Sequence, residues 1–487
     1  MKKSHKPEFI YDPSKKELEA VPEVTDKVAG SADEDFLFDL KNSEKKDMPK
    51  SHKTNDFSDL QKKPKPLWKK IMKWFGIIML ILGIIAAIAF TYIYLHASKI
   101  SSNPFDLSSR LKGEGDGRVN ILLLGIGDPG HAGETLSDTN MVVSIDTKSQ
   151  PNKVTMISIP RDTRVYIPGH GYNKINEANA LGGSQLAEQT VAQTLGIPIQ
   201  YYITADFTGL KQAVDAVGGI DINVKDTLID TEYPCENNEG KSCGLKILAG
   251  QQHMNGSTAL KYARCRKGTC GDDFGRAARQ QEVLQAIREK AISTQTLSNP
   301  SKVNNLINAA SNNIKTDLSL KNIQRLIDIT KGTGASDIIN VVFSIKPNGF
   351  LVGDNSSSDL LPAGGNFDAI QKFIGNVFEL APIWKEDSNI IVLNGTTTVG
   401  LGGKFKNTLI GDGIPITIDS LGNAKTSTFT TSQIIDYTGG KNPNTANYLS
   451  KLLGVQVTQP TTPVKYPVTD FEVTLGSDYA AKISPKN

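Results

Sequence analysis

Twenty-two consecutive residues without a charge, "WFGIIMLILGIIAAIAFTYIYL" at 74–95, constrain this chain more than any other feature. A helix needs about 20 apolar residues to cross the hydrocarbon core of a bilayer, so the run is expected to be a transmembrane helix. Trp74, Tyr92 and Tyr94 sit near its two ends, where interfacial aromatic residues belong. Lys62, Lys63, Lys65, Lys69, Lys70 and Lys73 precede it, and Lys99 is the first basic residue after it. That asymmetry places the N-terminus in the cytoplasm and everything beyond residue 98 outside the cell. A cleaved signal peptide fits less well, because the run is long, lies far from the N-terminus and lacks a small-residue cleavage site. The span with its basic flank is assigned to residues 67–98.

Residues 1–66 are rich in Lys, Asp and Glu and poor in apolar side chains. Such a segment cannot bury enough surface to offset its ordering entropy, so it is expected to be a disordered cytoplasmic tail. Over all 487 residues the net charge is only +3. Composition therefore gives no ground for a nucleic-acid partner, and any basic site must be local. All four cysteines, Cys235, Cys243, Cys265 and Cys270, lie beyond the apolar run. An even number confined to the outer side fits disulfides. Three connectivities are open to four cysteines, the local pairs 235–243 and 265–270 being favoured. Zinc is the rival, but no CxxC spacing supports it.

After a linker at 99–116, strand and helix patterns alternate. "VNILLLGIG" is a near-continuous apolar run ending in glycines, as in a buried strand, and "NMVVSID" and "KVTMISIP" are two more. "SQLAEQTVAQTLG" reads as a helix with Ser184 as N-cap and Gly196 just past its end. "DFTGLKQAVDAVGG" reads as another, capped by Asp206 and stopped by Gly218 and Gly219. "IDINV", "IINVVFSI" and helical segments near 304–309, 320–330 and 366–379 complete an α/β domain over 117–381. The alternation predicts a mixed sheet covered by helices on both faces. A second, smaller α/β domain is expected over 386–480, with a Pro/Thr-rich loop "TQPTTPVKYP" inside it. Its "NGTTTVGLGG" lacks the order of a phosphate loop and is read as a tight strand–helix turn.

One stretch concentrates charge: "YARCRKGTCGDDFGRAARQQ" holds Arg264, Arg266, Arg276 and Arg279 among Asp272 and Asp273. "ALKYARCRK" is expected as a strand, with Arg264 and Arg266 on one face and Cys265 on the other. "FGRAARQQEVLQAIREKAI" is expected as a helix with Arg276, Arg279 and Gln280 in its first turns. Guanidinium forks and a helix N-terminus suit phosphate oxygens. A salt-bridged surface is the alternative. Asp128 and Asp138 at strand ends can hold a Mg²⁺, which commonly binds beside substrate phosphates. Arg161 and Lys174 occupy further loop positions of the same kind. Together these residues point to a metal-bound pyrophosphate, and outside a membrane that means a polyprenyl-linked glycan carrier.

The segments "VNILLLGIGD", "SDT", "ISIPRDTRVYIPGHGYNKINEA", "YYITADFTGLKQAVDAVGGIDINV", "GQQHMNGSTALKYARCR" and "DFGRAARQQ" resemble the LytR-CpsA-Psr family. "IIVLNGTTTVGLGGKFKNTL" and the closing "TLGSD" resemble the LytR C-terminal domain. The resemblance implies a Mg²⁺-dependent phosphotransferase that moves a glycopolymer from undecaprenyl pyrophosphate to a sugar hydroxyl of peptidoglycan. It also implies an apolar pocket for the polyprenyl tail. Carried onto matching positions, Asp128 and Asp138 bind Mg²⁺. Arg161, Arg264, Arg266, Arg276 and Gln280 hold the pyrophosphate, with Arg279 and Lys174 as further substrate-binding candidates. Asp273 orients the arginines or takes part in proton transfer. Two departures stand out. Many relatives carry an arginine just before "SDT", where this chain has Leu136, and the usual basic residue after the first aspartate is absent, so one phosphate contact is either missing or supplied by His131. The cysteine-bearing insertions are also not general family features. The rival readings are a non-catalytic envelope regulator that binds polyprenyl pyrophosphate, a pyrophosphate hydrolase, and a DNA-binding protein. The last is opposed by the expected topology and by the lack of a helix-turn-helix.

Overall fold

The computed structural model describes residues 110–131, 133–235, 238–293, 313–346, 349–461 and 469–483. The expected tail, the apolar span, most of the linker and the helical segment at 304–309 lie outside the described residues, as does most of the Pro/Thr-rich loop. Among the described residues no helix is long and apolar enough to cross a membrane.

The strands β1 (Arg118–Gly125), β2 (Thr139–Asp146) and β3 (Val154–Ile159) form an antiparallel meander. Strand β4 (Tyr201–Ala205) adds parallel to β1, and β5 (Ile314–Thr316) adds antiparallel to β4. Strand β6 (Ile338–Val342) adds parallel to β3, giving the six-stranded mixed order β5-β4-β1-β2-β3-β6. Side chains alternate across β1, as a pleated strand requires. Leu122 and Leu124 enter one core with Val191 and Leu195 of helix α1 (Glu177–Leu195), while Val119 and Ile121 enter the core on the opposite face. Both faces of the sheet are therefore covered, as expected.

Helix α1 starts earlier than the sequence pattern indicates. It runs from Glu177, with Asn176 at the N-cap position, and breaks at Gly182 and Gly183, where φ is −153° and 69°. Ser184 follows that kink and bonds Thr204 Oγ1 at 2.8 Å; it is not the cap of a separate helix. Helix α2 (Phe207–Ala216) is capped as expected, the Asp206 carboxylate accepting from Gly209 N at 2.7 Å. The strand at Ile220–Val224 forms, but it pairs with Gly250–Met254 outside the main sheet.

The principal correction concerns "ALKYARCRK". It is not a strand: helix α3 spans Gly256–Arg264. Asn255 caps it, its side chain accepting from Thr258 N at 2.9 Å. Ala259, Leu260, Tyr262 and Ala263 are buried at helical spacing. A cap and a 3.6-residue period outweigh the apparent alternation around the arginines. At Cys265 the backbone turns extended, and both local disulfides, Cys235–Cys243 and Cys265–Cys270, are formed. Helix α4 (Asp272–Ala291) follows.

The C-terminal part carries a five-stranded sheet built on Asn389–Asn394, with Phe471–Leu475 beside it. Its core is continuous with that of the first part: Phe373 and Val377 belong to one cluster with Ile390 and Phe405. Gly413, at φ +71°, packs so closely on the helix Asp368–Gly375 that a Cβ there would stand 2.3 Å from Ala369 O. Only glycine fits such a turn.

Candidate functional site

The sheet brings the site residues to one edge. Gly125 at the end of β1 pairs with Thr139 and with Ala205, and Asn140 pairs with Ile159. Asp128, Asp138, Arg161 and Phe207 follow or precede these partners by a few residues, so register alone sets them along the same edge. Helix α4 is pinned to the sheet by Gln281, which is fully buried. Its side-chain amide donates to Met156 O at 3.1 Å, Ser158 Oγ at 2.9 Å and Val341 O at 3.0 Å. With Gln281 facing the sheet, the first turns of α4 hold Asp273, Arg276 and Gln280 toward the edge. Gly275 lets the disulfide loop fold back onto the start of α4, since a Cβ there would lie 2.4 Å from Cys270 O.

The result is a cavity of about 290 Å³ lined by Asp138, Arg161, Arg264, Arg266, Arg276 and Gln280, among others. Five cationic side chains face three carboxylates in its wall, Lys267 being the fifth cation and Asp230 and Glu232 the further acids. Arg161 Nη1 lies 2.7 Å from Asp138 Oδ1, and Arg276 Nη2 lies 2.9 Å from Asp273 Oδ1. Arg266 Nη1 approaches the same Asp273 oxygen at 3.8 Å. Asp273 thus bridges Arg266, in the loop after α3, and Arg276 of α4. Arg264 stacks on Phe207, its guanidinium carbon 4.2 Å from the ring centroid, and Nη2 lies 3.5 Å from His131 Nε2. His131 therefore stands beside Arg264.

Burial opposes charge on Arg161, yet Asp138, backed by Asp273 and Asp162, holds its pKa above the ordinary value. Burial pushes Arg276 below its ordinary value, opposed by Asp273 and Asp138 and reinforced by Arg161 and Arg266. Two buried atoms of the cluster lack a hydrogen bond: Arg161 Nε, and Asp273 Oδ1, whose contact with Arg276 lacks hydrogen-bond alignment. Crowded, partly desolvated guanidinium groups and an orphaned donor are the pattern that a multivalent anion completes.

A second, apolar pocket of about 130 Å³ adjoins the first. Leu123, Leu210, Leu260 and Leu284 are in its wall, and Thr139, Phe207, Arg264 and Gln280 are common to both spaces. The charged space and the apolar space are therefore contiguous.

Four expected residues lie outside the wall of the arginine cavity: Arg279, Lys174, Asp128 and Asp273. Arg279 is not in the cavity wall. It is buried and donates to Tyr262 O at 3.0 Å, to Cys270 O at 2.7 Å and to Cys265 O. It sits three residues further along the helix than Arg276, where its guanidinium reaches the carbonyls of the disulfide loop. Lys174 lies in a neighbouring open cleft, its Nζ 2.7 Å from Asp162 Oδ1. Asp128 accepts from Thr208 N at 2.7 Å and from Thr208 Oγ1 at 3.1 Å, which fixes it at the start of α2.

Asp128 and Asp138 are carboxylates of the kind Mg²⁺ prefers, and of the two only Asp138 lines the cavity. Asp138 Oδ2 has no partner among the described residues, and each Asp128 oxygen keeps a lone pair beyond its bond to Thr208. By contrast, the grouping Asp230–Cys265–Cys270 offers no thiolate, because the two sulfurs are bonded to each other.

Sequence reasoning missed Asp230, Glu232, Tyr233, Pro234 and Lys267, all in the cavity wall. Asp230 is buried and its carboxylate accepts from Arg266 N at 3.1 Å, Lys267 N at 3.0 Å and Glu232 N at 3.0 Å. No local pattern announces its place in the cavity, since its partners Arg266 and Lys267 lie 36 and 37 residues away.

The LytR_cpsA_psr family model matches residues 88–359, and that of the LytR cell envelope-related transcriptional attenuator matches 387–479. The chain is 36% identical over 210 residues to the polyisoprenyl-teichoic acid–peptidoglycan teichoic acid transferase TagU of Enterococcus faecalis, covering 42% of this chain and 64% of that one. It is 34% identical over 267 residues to the transferase of the same description, TagV, of Bacillus subtilis, covering 54% and 65%. The chain thus spans just under two thirds of these two relatives. The crystal structure of B. subtilis TagV matches at TM-score 0.44 and 30% identity, over 54% of this chain and 97% of that one. With more than half of its length matched by one family model, and with the motif residues gathered at one sheet edge, this chain belongs to the LytR-CpsA-Psr family.

Proposed function

We propose that this chain transfers a glycopolymer from a polyprenyl-pyrophosphate carrier to a sugar hydroxyl of peptidoglycan. The observation that carries this reading is the direct junction of the arginine cavity with the apolar pocket through Arg264 and Gln280. Neither a free nucleotide nor a nucleic acid needs a wall of leucines beside its phosphates. A polyprenyl diphosphate needs both. Relatives named as teichoic acid transferases make a teichoic-acid-type polymer the first donor to try.

In the reaction the acceptor hydroxyl attacks the phosphorus nearer the glycan. A new P–O bond forms, the bond to the bridging oxygen breaks, and polyprenyl phosphate leaves. The hydroxyl proton passes to the leaving phosphate or to water. Arg264, Arg266 and Arg276 neutralise charge on the phosphate oxygens, in a setting where fixed donors are worth more than in water. Arg161 extends the same set, held in place by Asp138. Asp273 keeps Arg266 and Arg276 apart yet aimed at one point. Asp128 and Asp138 would hold Mg²⁺, which supplies further charge neutralisation at the pyrophosphate. No covalent enzyme intermediate is required. Residues 74–95 anchor the chain beside its lipid substrate, with the catalytic part outside the cell.

The test is full-length protein in detergent with Mg²⁺, a lipid-linked glycan and peptidoglycan. Release of polyprenyl phosphate that depends on the acceptor, together with radiolabelled glycan appearing on the peptidoglycan, is the expected result. Equal release without acceptor would identify a hydrolase. Donor binding with no release would identify a binding protein.

A further inference from the structure

A third space, an open cleft, meets the arginine cavity from another side. Arg161, Arg266 and Lys267 are common to the two, while the cleft and the apolar pocket have no residue in common. The three spaces therefore lie in series, with the arginines in the middle. In-line displacement at phosphorus brings the nucleophile from the side away from the leaving group. If polyprenyl phosphate leaves toward the apolar pocket, the attacking hydroxyl arrives through the open cleft.

The cleft does not end at its charged wall. Lys174 closes the hairpin formed by Arg164–Ile167 and Gly171–Lys174. Its register pairs Arg164 with Lys174 and Tyr166 with Tyr172, so these four side chains share one face. Val165 and Ile167 fill the other face and are fully buried, which anchors the hairpin without any help from the tyrosines. Tyr166 is 44% exposed and Tyr172 67%, and their rings meet edge to face at 5.5 Å. Tyr172 stands about 7 Å along the strand from Lys174. Lys174 Nζ is held 2.7 Å from Asp162 Oδ1 and 2.8 Å from Ser358 Oγ. A fixed row of charged and hydroxyl groups thus continues into an exposed aromatic pair.

We propose that this strip, from Arg161 and Asp162 through Lys174 and Ser358 to Tyr166 and Tyr172, binds the acceptor polysaccharide strand. The inference rests on the transfer reading above for the identity of the acceptor. A pyranose ring presents C–H groups on one face and hydroxyls around its rim. The tyrosine rings match the first and the polar row matches the second. A strand lying on the hairpin delivers one ring's hydroxyl to the cleft while its neighbours rest on the aromatic pair.

The experiment uses full-length protein in detergent, co-sedimented with purified polymer-free peptidoglycan. Wild type is expected to sediment. Tyr166→Ala/Tyr172→Ala is expected to lose affinity by about tenfold or more, while Tyr166→Phe/Tyr172→Phe keeps it, because stacking and not the hydroxyls supplies the contact. Retention of the lipid-linked donor is expected to be equal in all three. Should the double alanine variant fail to fold, Tyr172→Ser alone, at the more exposed ring, is expected to weaken sedimentation. An alanine variant that folds and sediments like wild type overturns the proposal. So does a parallel loss of donor retention, which would place the donor glycan on the strip. Tyrosine-dependent sedimentation with protein-free anionic vesicles in place of peptidoglycan would make the strip a membrane contact and also overturn it. Sedimentation needs no turnover. Binding without any transfer would sink the transferase reading and leave the strip, whereas transfer at unchanged acceptor KM in the alanine variant would sink the strip alone.

Discussion

Arg161 Nη1 sits 2.7 Å from Asp138 Oδ1, across 23 residues of sequence, on the edge where β1, β2 and β3 end or begin. The pair joins the cation cluster to the acidic residue with a free oxygen. Asp138→Ala is expected to lower transfer by about a hundredfold or more, the usual cost of removing one preorganised group. The remaining rate should no longer respond to added Mg²⁺. A titration of rate against Mg²⁺ for wild type and variant checks both parts. An unchanged Mg²⁺ response in the variant would remove Asp138 from the metal site.

Arg264→Ala removes a cation at the junction of cavity and apolar pocket. Its effect is expected in turnover, about a hundredfold. Thermal stability should hardly move, because Arg264 is partly exposed and stacks on Phe207 at one end of its helix. Initial rates with a melting curve on the same preparation separate the two.

Arg279→Ala has the opposite signature. Its guanidinium satisfies the carbonyls of Tyr262, Cys265 and Cys270. Losing it leaves buried acceptors unpaired, at about 1–3 kcal/mol for each group. Denaturant titration should show a large loss of stability, with donor affinity preserved in whatever fraction stays folded. A selective loss of donor affinity at unchanged stability would return Arg279 to the binding site.

The Cys265–Cys270 bridge closes the loop that carries Arg266 and Lys267 toward the cavity. Cys265→Ala/Cys270→Ala is expected to cost about 2 kcal/mol of stability through chain entropy alone. It should also lower transfer, since the arginine positions loosen. Urea midpoints and rates with and without reductant provide the check.

Leu260→Trp should fill part of the apolar pocket, whose volume is about 130 Å³. KM for a donor with a long prenyl chain is expected to rise about tenfold, with a smaller change for a short-chain donor. Equal changes for both donors would mean that the prenyl chain lies elsewhere.

Much of this site was legible before any fold was known. Asp138, Arg161, Arg264, Arg266, Arg276 and Gln280 all reach the cavity wall, and both local cysteine pairs form. The strand at 118–125 and the capped helix at 207–216 also follow the sequence pattern. These features are written in short-range terms: residue type, turn chemistry and apolar periodicity over a few residues. The segment 259–267 went astray for the same reason in reverse. Its arginines and cysteine imitate alternation, while the signals of a helix sit upstream at Asn255 and inward at Leu260 and Tyr262.

Sequence by itself determined the kinds of groups at the site, their order along the chain and the helix that carries Arg276 and Gln280. Tertiary structure decided which arginine lines the cavity and which satisfies the disulfide loop, because Arg276 and Arg279 are neighbours on α4 and only the elements packed against each one distinguish them. It also decided that Asp230 and the segment Glu232–Pro234 wall the cavity, and that leucines from β1, α2, α3 and α4 meet beside it. Those contacts join elements far apart in the chain. Their placement follows from burying both faces of one sheet, a condition that no local stretch of sequence contains.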